Sequence, residues 1–199
     1  MPRSAKQNEE MRAATHAAIL HSAMKLFAQN GYNNTTTRSI AQDADISTGL
    51  MYHYFANKEA LLRAVFDHCM TVLGDLCTAA YTESTPQERI ANLLRAMFDL
   101  LEREQAFWSL FYTLRWQPAI MYLLEDEFRL YTERLRDLFA VEFQQAGRAE
   151  PTIDAFLLYS LLEGTIQQYL LDPDHYPLDE VVARIIAQYG EGNSQAGGD

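Results

Sequence analysis

Between Ile46 and Leu61 the chain reads ISTGLMYHYFANKEAL, a run that sets Tyr52, His53, Tyr54, Phe55 and Lys58 behind Ser47 and the lone Gly49. Two phenolic hydroxyls, an imidazole and an ammonium are all hydrogen-bond donors with the reach to meet phosphate oxygens. A buried segment does not hold so many polar tips, and a solvated one does not hold so much ring. The chemistry they share is that of a short helix lying on a polyanion without being buried in it. On such a helix Ser47, Thr48, Leu50 and His53 look outward, and Gly49 lets backbone approach closely. Tyr52, Tyr54 and Lys58 flank that face. The competing assignment is core: Phe55 belongs there, and Tyr54 suits core and phosphate equally.

The surrounding punctuation supplies the elements that position this face. Positions 11–29 carry Ile19, Leu20, Ala23, Leu26 and Phe27, the stripe of an amphipathic helix that Gly31 ends. Thr35, Thr36 and Thr37 offer an N-cap for a short helix over about 37–44. Asp45 is the turn residue, and Ser47 caps a second short helix over about 47–53. Ile40, Ala41, Ala44, Ile46 and Met51 face inward where the two cross. Asn57 caps a long fourth helix. Helix, three-residue turn, helix is the arrangement that presents its second helix to the major groove of DNA.

Charge divides with the sequence. The chain of 199 residues has a formal net charge of −11, yet residues 1–60 hold six Lys or Arg against five acids. The remainder holds ten bases against twenty-two acids. This asymmetry excludes a general polyanion binder but leaves room for a small DNA-reading face, because local charge decides contact. Nine glycines and six prolines are too few for a turn-rich β fold. The start MPRSAKQNEEMR has no apolar leader, and no run is long enough for a membrane span, so the expected compartment is the cytoplasm. Cys69 and Cys77 stand about 12 Å apart along one helical pattern, too far for a disulfide.

The run GYNNTTTRSIAQDADISTGLMYHYFANKEALLRAVF, residues 31–66, resembles the DNA-binding segment of the TetR family of transcriptional regulators. The shared positions are the Gly31-Tyr32 pair, Thr36, Ile40-Ala41, Ser47 and Gly49, Tyr52, Tyr54-Phe55, Lys58-Glu59 and Leu61. One departure is Ala44-Asp45-Ile46-Ser47, where the family's turn has glycine in the place of Asp45. Aspartate reaches the left-handed conformation at modest cost, so the turn is expected to be intact. The resemblance implies an all-α homodimer with a three-helix DNA-binding head over 1–60 and a ligand-binding and dimerising body over 61–190; the Gly-rich, apolar-poor tail over 191–199 is expected to be disordered. It implies phosphate contacts for Thr36, Arg38, Thr48, Tyr52, Tyr54 and Lys58, and proximity to bases for Thr48, Gly49, Leu50 and His53. The function it implies is a ligand-responsive regulator, a repressor before an activator, that binds a palindromic double-stranded operator and is released by a small, largely apolar or aromatic effector.

The body adds candidates of its own. Helices are expected over 86–104, opened by the capping box Thr85-Pro86-Gln87-Glu88, over 106–115, and over 119–146 after Pro118. One beginning at Pro151 and one over LDEVVARIIAQYG bring the total to about nine, with no strand. Met97, Phe107, Trp108, Phe111, Tyr112, Trp116, Met121, Tyr122 and Phe128 suit either the lining of an adaptable apolar pocket or plain core. Leu157, Ser160, Leu161, Gly164, Ile185 and Ile186 suit either a dimer face or packing within one subunit. His16, His21, His53, His68 and His175 are scattered, with no paired Glu-x-x-His, nucleophile elbow or phosphate loop. The expectation is therefore no catalysis, no metal and no cofactor. The rival to a regulator is a helical interaction protein that has lost DNA binding.

Overall fold

The computed structural model describes residues 5–80 and 85–190, so the expected tail over 191–199 lies outside the described residues. Those residues form ten helices: α1 Ala5–Asn30, α2 Thr37–Asp43, α3 Thr48–Tyr54, α4 Lys58–Ala80, α5 Pro86–Arg103, α6 Gln105–Arg115, α7 Pro118–Leu123, α8 Glu125–Gln145, α9 Pro151–Leu171 and α10 Leu178–Tyr189. None of them is long and apolar enough to cross a membrane. The single helix expected over 119–146 is two. It breaks at Leu124, where no glycine or proline stands and the side chain is only 1% exposed. Burial of that leucine, not local propensity, accompanies the break.

The caps read from sequence are made. Thr36 Oγ1 accepts from Ser39 N, and Ser39 Oγ accepts from Thr36 N in return. Ser47 Oγ accepts from Leu50 N at 3.1 Å, and Asn57 Oδ1 from Ala60 N at 2.8 Å. Thr85 and Glu88 form the capping box at the start of α5. Each such cap is worth about 1 kcal/mol of helix stability.

Two compact units emerge. The first comprises residues up to 70 together with Leu110–Glu125, and the second Thr71–Ser109 with Asp126 onward; α4 and α6 contribute to both. The head expected over 1–60 falls inside the first unit. Its core is Ile19, Ala23 and Phe27 of α1, Ile40 of α2, Met51 of α3 and Leu61 of α4, all fully buried. Before Ile19, α1 has no buried residue: from Lys6 to Ala18 every side chain is exposed except the half-buried Thr15.

In the second unit α10 packs on α5 and α9. A Cβ on Gly190 would lie 2.8 Å from that of Ala91, so the end of α10 closes against α5 where only glycine fits. Glu142, 1% exposed, receives Arg89 Nη2 at 2.7 Å and Nε at 3.0 Å, and the same Nη2 donates to Gln145 Oε1. Ile185 and Ile186 are 5% and 6% exposed, so their place at a dimer face is corrected. The apolar stripe of α10 is covered inside the subunit, and periodicity alone does not say by what.

Candidate nucleic-acid interface

The turn between α2 and α3 is built by backbone. Asp45 N donates to Gln42 O at 3.2 Å and Ile46 N to Ala41 O at 2.9 Å, the double bond pattern that ends a helix through one left-handed residue. Asp45 has φ 53° and is the one non-glycine residue with positive φ among those described. The same pattern recurs after α8, where Gly147 N donates to Gln144 O and Arg148 N to Phe143 O, and there the left-handed residue is glycine. Asp45 thus does a glycine's work, and the turn is intact as expected.

Held by this turn, α3 buries Met51 completely and leaves Gly49, Leu50, Tyr52 and His53 exposed, with Thr48 half-buried. Phe55 is core at 8% exposure, whereas Leu50 and Tyr52 stand 39% and 52% exposed. Gly49 has no internal reason to be glycine: its φ is not positive, and a Cβ there would meet only Ser47 Oγ, at an ordinary 3.9 Å. The Tyr52 hydroxyl lies 3.0 Å from Thr37 Oγ1, linking the exposed end of α3 to the start of α2. The half-buried Tyr54 donates to the Arg12 carbonyl at 3.4 Å.

Lys58 is the residue whose role changes. Its ammonium donates to Tyr32 O at 2.9 Å and Thr35 O at 3.0 Å, with a longer contact to Asn33 O at 3.5 Å. It also stands 4.4 Å from the centre of the Tyr32 ring. All three of its N–H groups are engaged by the loop that precedes α2, so the expected phosphate contact is corrected to a clamp. Other cations are engaged too. Lys25 meets Asp43 at 2.6 Å, and Arg63 meets Glu59 at 3.1 Å and Leu123 O at 3.0 Å. The Lys25 partnership, followed by a bond from Ser22, holds the Asp43 carboxyl below its usual range. Arg38, exposed on α2, has no ion pair or hydrogen bond among the described residues.

Sequence reasoning missed Gln117. Its amide donates to Phe27 O at 2.9 Å and accepts from Tyr32 N at 2.8 Å, bracing both sides of the turn after α1. These partners lie 85 and more residues away, and no local signal marks them. It also missed Arg12 and His16. With Asn8, Glu9, His53 and Tyr54 they line an open groove of about 820 Å³ between α1 and α3. Their signal was legible: a helical stripe on a stretch of α1 with no apolar face.

The body candidates separate by burial. Trp108, Phe111 and Phe128 are buried, and Met97, Phe107, Tyr112 and Met121 are half-buried. Trp116 and Tyr122 are 61% and 83% exposed and line no interior, which corrects their assignment to a pocket. Trp116 follows the end of α6 beside the Arg115 guanidinium, and Tyr122 stands on the outer side of the short α7. On α9, Leu157 and Leu161 are 52% and 42% exposed, in line with Ser160 and an open Gly164. Cys69 is fully buried and its thiol is pushed up to about 12 by that burial; Cys77 is half-buried and also raised.

Residues 19–65 match the family described as bacterial regulatory proteins, tetR family. The HTH-type transcriptional regulator BetI of Brucella canis is 30% identical over 171 residues, covering 83% of this chain and 84% of that protein. Among solved structures, the fatty acid degradation regulator FadR from Bacillus halodurans superposes with a TM-score of 0.72 at 17% identity, over 90% of this chain and 96% of that one. FadR from Bacillus subtilis in complex with stearoyl-CoA gives 0.69 at 18%, over 88% and 98%. The likeness to BetI extends far beyond the helix-turn-helix, and the protein belongs to the TetR family of transcriptional regulators.

Proposed function

We propose that this regulator binds a palindromic operator in the cytoplasm as a homodimer, and represses until a small, largely apolar or aromatic effector releases it. In this reading residues 1–60 read DNA and residues 61–190 bind the effector and join the copies. The observation that carries the reading is the outward face of α3, where Gly49, Leu50 and His53 are exposed while Met51 anchors the helix from behind. Thr48, Gly49, Leu50 and His53 lie nearest the base edges, and Leu50 suits the methyl group of thymine. Thr36, Arg38, Tyr52 and Tyr54 serve the phosphates, with Ser47 capping the helix that carries the contacts.

Dimerisation is assigned to α9. Leu157, Ser160, Leu161 and Gly164 recur at helical spacing on one face, and two α-helices approach closely where the residues between them are small. Two heads set about 34 Å apart, or a multiple of it, would then meet successive half-sites. The effector site draws on Met97, Phe107, Trp108 and Phe128 of the second unit. Stearoyl-CoA is the ligand seen with Bacillus subtilis FadR, so long-chain acyl thioesters join hydrophobic cations and planar aromatics as probes.

Selection from a random duplex library tests the reading: an enriched palindrome is expected, and recovery of none refutes operator binding. Leu157→Glu should give monomers by sedimentation, and a variant that stays dimeric removes α9 from the interface. A probe that both raises the melting temperature and dissociates the selected duplex identifies the effector class. An effect on neither removes that class.

A further inference from the structure

The first three turns of α1 bury no side chain in the described chain. No residue from Lys6 to Ala18 is buried, although a helix of that length is marginal in water without a packed face. Asn8, Arg12 and His16 recur at i, i+4 and i+8 along it, a stripe about 12 Å long. That stripe forms one wall of the groove of about 820 Å³ whose other wall is His53 and Tyr54 of α3. The bond from Tyr54 to the Arg12 carbonyl ties the two walls together. The His16 ring lies 5.3 Å from Phe55 and 6.2 Å from Tyr54, and the His53 ring stands edge-on to Tyr54 at 6.0 Å.

We infer that this groove binds backbone phosphate of the duplex beside the half-site read by α3, with the Arg12 guanidinium and a His16 ring nitrogen as the donors. The inference rests on α3 facing DNA and adds α1 to the contact surface. Three observations carry it. The groove opens beside the exposed end of the recognition helix. Its donors are uncommitted: among the described residues Arg12 has no ion pair, and the His16 imidazole has no hydrogen bond. Of the other lysines and arginines between residues 5 and 63, Lys25, Lys58 and Arg63 are engaged within the fold, Lys6 makes only an exposed 3.9 Å pair with Glu10, and Arg38 makes none. One group opposes an anion there, the Glu9 carboxylate, and it makes no ion pair with Arg12 three residues on.

A labelled duplex of mixed sequence, about 30 base pairs long, tests this, because binding without sequence preference reads phosphates alone. Each phosphate contact contributes about 0.9 to the slope of log affinity against log salt. Arg12→Ala should therefore start weaker, and its deficit should shrink about 3.5-fold per engaged head between about 50 and 200 mM salt. His16→Leu, which keeps the packing on Phe55 and removes the donor, should also weaken binding with the melting temperature unchanged. Glu9→Gln should tighten binding about threefold, a gain that misfolding cannot mimic. Arg38→Ala, on α2 and outside the groove, is the control. If it flattens the slope while Arg12→Ala and Glu9→Gln leave slope and affinity as in the wild type, the groove is refuted and the α3 reading stands. If the wild-type chain fails to bind the duplex at about 50 mM salt, both fall together.

Discussion

Lys58→Met separates two roles that a basic residue at the start of α4 can have. In the structure its ammonium bonds Tyr32 O and Thr35 O at 2.9 and 3.0 Å, reaches Asn33 O at 3.5 Å, and lies over the Tyr32 ring. Two good bonds from a half-buried cation, at about 1.5 kcal/mol each, sum to about 3 kcal/mol. Methionine keeps much of the apolar stem's packing, so this loss falls on the polar end. For a chain of this length it lowers the melting temperature by roughly 6–12 °C. Urea denaturation followed by circular dichroism measures the loss, and the salt slope of DNA binding is measured beside it. A clamp predicts lower stability with an unchanged slope. A phosphate contact predicts unchanged stability with a slope reduced by about 0.9 per head. Lys58→Arg sharpens the contrast, because a planar fork keeps the charge but does not spread its donors over the same three carbonyls. An arginine variant that melts as wild type, alongside a methionine variant with a shallower slope, refutes the clamp.

Gly49→Ala should raise stability by about 0.5–1 kcal/mol in urea unfolding, since alanine is the better helix former and the space is open, while weakening selected-operator binding; unchanged binding would show that nothing approaches that face. Asp45→Gly should stabilise the chain by about 0.5–1 kcal/mol by removing an L-residue from the left-handed region, and a lower melting temperature would mean that the aspartate side chain sustains the turn. Cys69, with its thiol pushed up to about 12, should resist alkylation in the native chain near neutral pH and react once unfolded. A native mass shift at Cys69 would contradict its burial.

What could be read from sequence was what neighbours in sequence decide. The helix ends at Gly31, Thr36, Ser47, Asn57 and Thr85 are local devices, and they fixed α2 and α3 to within about a residue. The anchoring of Met51 and Phe55 followed from spacing. Partners that arrive from far along the chain were illegible. Lys58 looked like a free cation because the carbonyls that engage it stand 23 to 26 residues earlier. Gln117 was missed because its partners lie far back in the chain, at Phe27 and Tyr32. Ile185 and Ile186 had the right period for an interface, but period gives a buried face and not the identity of what buries it. Trp116 and Tyr122 failed as pocket residues for the converse reason: an aromatic cluster in sequence is not a cluster in space.

These commitments change the electrostatics of the head. Six basic residues against five acids make residues 1–60 look like a modest cationic surface on an acidic chain. The structure reduces it further, because Lys6 faces Glu10, Lys25 faces Asp43, and Lys58 faces carbonyls. Arg12 and Arg38 are the two described cations of that segment left for phosphate. Counted on these described residues alone, a dimer presents about four, which gives a log–log salt slope near −3.6, shallow for a protein that reads DNA. In the proposed reading, affinity at physiological salt comes instead from groups that salt does not screen: the hydroxyls of Thr48 and Tyr52, the imidazole of His53, and the apolar edge of Leu50 against the bases. A face built this way loses little to counterions and much to a wrong sequence, which is the balance a regulator needs when its body carries a charge that repels DNA everywhere else.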